Sequence, residues 1–203
     1  MQIRIQCGAS FDVLEARPGR GEPVRFVTPN KGPVPHDALH LFVERAFGLQ
    51  RGFWGLVAEG LAPDDFQALA SAGGHPSASR AGAPDPGIVQ LLQAERLVEI
   101  FEADLWGGDQ GEEADLLALA GTACASSHVP LPSVPNGAVV RVRADLVAFA
   151  RTWTALPRGE GLDLEWVGQG RARTVTPRCG ARAPGPLPAR SPAAPRRAGG
   201  WPG

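Results

Sequence analysis

Two histidines and a glutamate stand four residues apart in the segment 35–44, which reads Pro-His-Asp-Ala-Leu-His-Leu-Phe-Val-Glu. On a helix with about 3.6 residues per turn, side chains four apart share a face, so His36, His40 and Glu44 form one polar stripe. Two imidazoles at positions i and i+4 can bind one divalent metal ion, and a carboxylate can complete the ligand set. The spacing therefore predicts a site for zinc or a similar divalent metal at His36, His40 and Glu44.

Asp37 adds a candidate general base to the same segment. The pattern His-Asp-x-x-His is similar to the zincin pattern His-Glu-x-x-His, with the base shortened by one methylene group. The shorter side chain would lie further from a metal-bound water, and His36 is next to Pro35 in the first helical turn. Both features argue against peptidase chemistry, even where the metal binds.

A structural interpretation of the stripe stays open beside the metal hypothesis. His40 and Glu44 have the spacing of an ordinary helical side-chain pair, and Asp37 suits the positive end of a helix. The two interpretations differ in their pH dependence. A metal site predicts an affinity that falls as the pH drops through about 6.5, because imidazole must be neutral to coordinate.

A glycine-rich and aromatic motif, Arg-Gly-Phe-Trp-Gly at residues 51–55, follows the stripe. Together with Pro-His-Asp-x-x-His-x-x-x-Glu, it makes the stretch from Val34 to Gly60 resemble a group of uncharacterised bacterial proteins. The resemblance covers about an eighth of the chain. It implies a bacterial origin and carries no activity.

A second stripe, of carboxylates, lies on the helix predicted from Pro86 to Trp106. Glu95, Glu99 and Glu102 are spaced four and three residues apart and share a face. Two histidines and four glutamates are the ligands of dimetal helical bundles, but the Glu-x-x-His spacing of those bundles is missing here. Because the opposite side of this helix is also apolar, we expect its glutamate side to face water.

A cysteine and a histidine, Cys124 and His128, form a third candidate pair near the end of a predicted helix. The i, i+4 spacing suits metal ligands or a Cys-His nucleophile pair. A free cysteine is also often simply buried, and no specific local motif surrounds Cys124.

The elements around these residues predict a small α+β fold. Alternating apolar residues indicate three short strands before residue 29 and a last strand at residues 162–166. The most secure helix has Val139, Leu146, Phe149 and Trp153 on one face. We expect a mostly antiparallel sheet, made of the N-terminal meander and the C-terminal strand, packed against several helices. The other predicted helices are 35–48, 53–62, a short one after Pro63, 86–106 and 112–127.

Charge divides the chain into a body and a tail. Residues 171–203 hold seven arginines and no acidic residue, which leaves 13 basic and 21 acidic side chains in residues 1–170. We expect 1–170 to form one globular domain and the tail, rich in Arg, Pro, Ala and Gly, to be disordered. The acidic body disfavours nucleic-acid binding, which depends on basic side chains.

Composition also excludes several classes of protein. The sequence has no apolar run of about 18 residues and no signal-peptide pattern at Met1, so we expect neither a membrane span nor secretion. Its three cysteines lack Cys-x-x-Cys spacing, which excludes a disulfide framework and fits a reducing cytoplasm. The sequence predicts a cytoplasmic interaction or accessory module with an unknown protein partner. The alternative is a metal-binding protein or metal-dependent hydrolase that uses His36, His40 and Glu44.

Overall fold

The alternating residues near both ends of the chain form one antiparallel sheet of four strands. The computed structural model describes residues 1–19, 22–30, 32–66, 84–109 and 111–168. The strands are β1 Gln2–Gln6, β2 Phe11–Arg17, β3 Val24–Pro29 and β4 Gly161–Glu165. They lie in the order β3-β2-β1-β4, so that the C-terminal strand adds to the N-terminal meander. The predicted α+β class is confirmed.

The sheet has one apolar face because apolar and polar residues alternate along its strands. Ile3 of β1 is paired with Ala16 of β2 and with Leu164 of β4, and all three side chains are buried. On the opposite face, the guanidinium of Arg4 donates to both carboxylate oxygens of Asp163 at 2.9 Å. The register of β4 thus continues the buried face of the meander.

The helices follow the predicted order. The described residues contain five α-helices, α1 His36–Phe47, α2 Phe53–Ala58, α3 Val89–Trp106, α4 Glu113–Ser126 and α5 Ala138–Thr154, and a 3-10 helix at Pro63–Asp65. Helix α1 ends at Gly48, which has a φ of 70° and donates its N–H to the carbonyl of Glu44. Glycine tolerates this left-handed conformation, which explains why the helix stops there.

Two helices are shorter than predicted. Helix α2 ends at Ala58 rather than at Ala62, because Gly60 takes a φ of 99° and the N–H of Leu61 turns back to the carbonyl of Leu56. Helix α3 begins at Val89 rather than at Pro86, since the residues before it form a turn closed by the N–H of Ile88 on the carbonyl of Asp85. Local turn bonds therefore set both boundaries.

Helix α1 packs against three other helices, α2, α3 and α5. Nine of its twelve residues are buried, including Asp37, His40 and Glu44. Polar side chains in such a position need hydrogen-bond partners, because burial removes their water. His40 and Glu44 of the polar stripe thus lie inside the helical layer, whereas His36, in the first turn of α1, is partly exposed.

Helix α5 contributes aromatic side chains to the core. The rings of Phe149 and Trp153 are stacked with centroids 5.7 Å apart, and Phe149 contacts Phe42 of α1 at 5.5 Å. These residues belong to the same apolar cluster as Ile3 and Trp166 of the sheet region. One continuous core therefore joins the sheet to α1 and α5.

Two predicted segments lie mainly or wholly outside the described residues. These are the loop predicted at 71–87, of which 84–87 are described, and the tail at 171–203. Within the part of the chain that the structure describes, no helix is both long and apolar enough to cross a membrane.

Candidate metal centre

The two histidines of the stripe lie side by side at the N-terminal end of α1. The rings of His36 and His40 are edge-to-face, with centroids 5.2 Å apart. The helix begins directly after Pro35, whose extended backbone, with ψ at 129°, delivers the chain to its first turn. The four-residue spacing has therefore brought both imidazoles to one place, as expected.

A carboxylate from another helix meets both rings. Oε1 of Glu95, on α3, is 3.6 Å from Nε2 of His40, and Oε2 of Glu95 is 3.9 Å from Nε2 of His36. The three residues offer one ligand atom each, and these atoms all lie within 4.8 Å of one another. We call His36, His40 and Glu95 the His/Glu cluster. Among the described residues, it is the group that has the geometry to hold a metal ion.

The other nitrogen of each ring faces a second carboxylate. Nδ1 of His40 is 3.1 Å from Oε1 of Glu44, and Nδ1 of His36 is 3.4 Å from Oε2 of Glu102. A carboxylate accepts the Nδ1 proton, which leaves Nε2 of a neutral imidazole with its lone pair free. Both histidines thus direct Nε2 toward Glu95, and each contacts a second carboxylate through Nδ1. Metal-binding histidines are commonly oriented in this way, by a carboxylate that accepts the N–H of the ring nitrogen that does not bind the metal.

The motif at residues 51–55 holds Glu44 in place. The backbone N–H groups of Trp54 and Gly55 donate to the Glu44 carboxylate, with the shortest distance 3.1 Å. Gly52 passes so close that an added Cβ would lie 2.4 Å from Cδ of Glu44. Burial raises the pKa of Glu44, and the bonds from His40, Trp54 and Gly55 oppose that rise. Because these partners are all donors, the surroundings fit the ionised carboxylate.

Asp37 lies on the buried side of α1. Burial raises the pKa of its carboxyl group, against the opposing effects of His40 and His36 and of a hydrogen bond with Thr28. Its backbone carbonyl accepts a bond of 2.7 Å from the indole Nε1 of Trp54. Asp37 is thus a neighbour of the His/Glu cluster but does not supply one of its three ligand atoms.

The ion pairs of the cluster shift the pKa values of its members. Burial alone would lower the pKa of His36, but hydrogen bonds with Glu102 and Glu95 raise it to about 9. Burial likewise opposes protonation of His40, and the charges of Glu95 and Glu44 raise its pKa to about 10. For Glu95, burial favours the neutral acid, but the two imidazoles lower its pKa well below the ordinary range. Without a metal, the cluster is therefore an ion-pair network.

The cluster is closed on one side and open on the other. The side chain of His40 is only 1% exposed, whereas those of His36 and Glu95 are 43% and 33% exposed. A metal ion between the three ligand atoms would therefore have buried protein behind it and solvent in front of it.

The sequence predicted two of the three residues of the cluster. His36 and His40 come together as their spacing indicates, whereas Glu44 contacts His40 from the Nδ1 side and not from the side of the cluster. Glu95 takes the place that we expected for Glu44. The glutamate side of α3 was expected to face water, and this was wrong for Glu95, because α3 packs that side against α1. The signal for it was the stripe Glu95, Glu99 and Glu102.

The third candidate pair lies elsewhere. Cys124 is buried in a small apolar cluster with Ile88, Leu92 and Val129. Burial raises the pKa of the Cys124 thiol, which disfavours the thiolate that a nucleophile or metal ligand needs. His128 follows α4 with a positive φ of 58° and is exposed. The structure thus fits the interpretation of Cys124 as a buried apolar residue.

Comparisons with models of protein families, with curated proteins and with solved structures gave no match.

Proposed function

We propose that this protein binds a divalent transition-metal ion, such as zinc, through Nε2 of His36, Nε2 of His40 and the carboxylate of Glu95. The observation that carries the proposal is the orientation of the two imidazoles. Both direct Nε2 to the same carboxylate, and both have a carboxylate, Glu44 or Glu102, at Nδ1. An ordinary helical pair between His40 and Glu44 would not require the second and third carboxylates.

The distances between the ligand atoms approach those of a metal site. Zinc binds imidazole nitrogen and carboxylate oxygen at about 2.0 to 2.2 Å, so two ligand atoms of a tetrahedral site lie about 3.4 Å apart. The separations of Glu95 from the two Nε2 atoms are 3.6 and 3.9 Å. One ligand atom from each of the three residues lies within 4.8 Å of the others, so side-chain shifts of up to about 1 Å would complete the site. Two imidazoles and one carboxylate also suit several other first-row divalent metals.

Metal content and thermal stability test the proposal together. The purified protein should contain, or take up, one zinc, cobalt or nickel ion per chain. Metal at about 100 times its dissociation constant stabilises a folded protein by about 2.7 kcal/mol, which corresponds to a rise of about 5 to 10 °C in Tm for a domain of this size. Elemental analysis and calorimetric melting in the presence and absence of a chelator measure both effects.

Substitutions separate ligands from supporting residues. His40→Ala and Glu95→Gln should each abolish the zinc-dependent rise in Tm. Glu44→Gln should weaken zinc binding by about 10- to 100-fold, the range for a residue that orients a ligand. Glu113→Gln makes the same chemical change on an exposed carboxylate of α4 and should have no effect. If Glu44→Gln abolishes binding while Glu95→Gln does not, the ligand set originally expected from the sequence is the right one.

The absence of any metal effect would support the other proposal from the sequence. The His/Glu cluster would then be a buried ion-pair network in an interaction or accessory module. In that case His40→Ala would destabilise the protein equally with and without zinc, because it would leave Glu44 buried without a cationic partner.

A further inference from the structure

We infer that the metal at the His/Glu cluster keeps one coordination position open to solvent, which takes water or an uncharged carbonyl group in preference to a phosphate dianion. This inference rests on the proposed metal site and specifies its kind. A structural zinc site is closed by four protein ligands, whereas a site that activates water or polarises a carbonyl group keeps a position free.

The number of available ligand atoms is the first argument. Within the described ranges, His36, His40 and Glu95 supply the three atoms that converge. A tetrahedral metal needs a fourth donor. The exposure of the His36 and Glu95 side chains, at 43% and 33%, places the free position on the solvent side.

The nearby carboxylates are already engaged by other groups. Glu44 is fully buried and accepts bonds from His40 and from two backbone N–H groups, which hold it on the far side of the His40 ring. Glu102 contacts His36 at Nδ1, the nitrogen that does not face Glu95. Glu99 forms an ion pair of 2.9 Å with Arg96. For any of them to become the fourth ligand, an existing contact would have to break.

The net charge around the proposed metal favours uncharged ligands over anions. With both imidazoles neutral, a divalent ion and the carboxylates of Glu44, Glu95 and Glu102 leave one net negative charge, to which an ionised Asp37 would add a second. The charges of Glu99 and Arg96 offset each other. A phosphate dianion would meet repulsion from these carboxylates in a partly buried site, where charges are poorly screened. An uncharged ester, amide or aldehyde oxygen meets no such repulsion.

The cobalt(II)-loaded full-length chain provides the test, because the visible absorption bands of cobalt(II) respond to its ligands. Cobalt must first bind with one ion per chain in the wild type and fail to bind in Glu95→Gln. Acetamide, which is uncharged and binds a metal through its carbonyl oxygen, is then added, and imidazole serves as a second uncharged probe. Saturable changes in the bands are expected with both probes, and inorganic phosphate should bind at least about tenfold more weakly than acetamide.

The outcomes distinguish the two proposals. If cobalt does not bind at all, the proposed function itself fails. If cobalt binds but neither probe changes its bands, the position is closed and the inference is overturned while the metal site stands. A response that appears only in Glu99→Gln or Glu102→Gln would identify the carboxylate that closes it. If phosphate binds more tightly than acetamide, the preference for uncharged ligands is wrong.

Discussion

Each imidazole of the His/Glu cluster lies between two carboxylates, one at each ring nitrogen. His40 lies between Glu44 and Glu95, and His36 between Glu102 and Glu95. Such surroundings stabilise the doubly protonated ring when no metal is present. They also orient the neutral ring correctly for a metal. Protons and the proposed metal ion would therefore compete for the same two nitrogens.

This competition predicts the pH dependence of zinc binding. The pKa values of about 9 for His36 and about 10 for His40 lie above the ordinary value of 6.5, so both rings are protonated at pH 7. Because zinc must displace these protons, its affinity should rise with pH by up to about 100-fold per unit between pH 6 and 8, and level off only above about 10. Calorimetric titration in buffers of different ionisation enthalpy counts the protons released. An affinity that is constant above pH 7 would contradict these pKa shifts.

The residue types and spacing predicted part of this site. His36 and His40 could be predicted because their convergence depends on helix geometry alone. Glu95 could not be predicted, since its contact with them depends on how α3 is rotated against α1. The raised pKa values could not be predicted either, and the ordinary pKa of imidazole had placed the pH effect near 6.5. Tertiary packing determines both features.

At the level of elements, the turn between α1 and α2 determines the position of Glu44. The chain reverses after Gly48 and brings the first turn of α2 against the end of the Glu44 side chain. Two N–H groups of α2, from Trp54 and Gly55, then bond to its carboxylate. N–H groups in the first turn of a helix have no acceptor within that helix, so they are free to bond to a side chain. The positive N-terminal end of α2 also stabilises the negative charge of the Glu44 carboxylate.

Gly52→Ala tests this contact between the two helices. The new methyl group would overlap Cδ of Glu44, so we expect a loss of about 1 to 3 kcal/mol in unfolding free energy. The displaced Glu44 should also weaken zinc binding by up to about 100-fold. Urea denaturation and zinc titration measure the two effects. Gly121→Ala is the matched control, because an added Cβ there meets nothing within 4 Å on helix α4.

The control should be neutral or slightly stabilising, since alanine favours a helix over glycine by about 1 kcal/mol. If Gly52→Ala behaves like Gly121→Ala, Gly52 does not constrain Glu44.

Helix α1 and its end at Gly48 could be predicted from the sequence, but the need for glycines in the motif at 51–55 could not. Their role became visible only from the atoms that surround them.

At the level of the whole molecule, the core joins helices that are far apart in the sequence. Trp153 of α5 stacks on Phe149, which contacts Phe42 of α1. The apolar spacing predicted that α5 buries this face, because a repeat of three and four residues needs no knowledge of its neighbours. It could not show that Phe149 would meet Phe42, since several buried faces were available.

Trp153→Ala should therefore lower the unfolding free energy by about 3 to 5 kcal/mol, the usual cost of removing a large buried aromatic side chain. Trp106→Ala is the control, because Trp106 is 60% exposed and should change stability by about 0.5 kcal/mol or less. Urea denaturation monitored by circular dichroism measures both. A loss below about 1 kcal/mol for Trp153→Ala would mean that α5 does not pack on the core as described.

The close approach of Gly52 to Glu44 also couples the substitutions that these two positions can accept during evolution. An alanine at position 52 leaves the side chain at position 44 undisturbed only where that residue is shorter than glutamate, because Cβ and Cδ would otherwise lie 2.4 Å apart. In the descendants of one ancestral gene, the two positions should therefore change together, and glycine should return wherever glutamate does. If Glu44 serves the proposed metal site, lineages that have lost His36 or Glu95 have no further use for its carboxylate, and they should be the first in which position 52 drifts to larger residues.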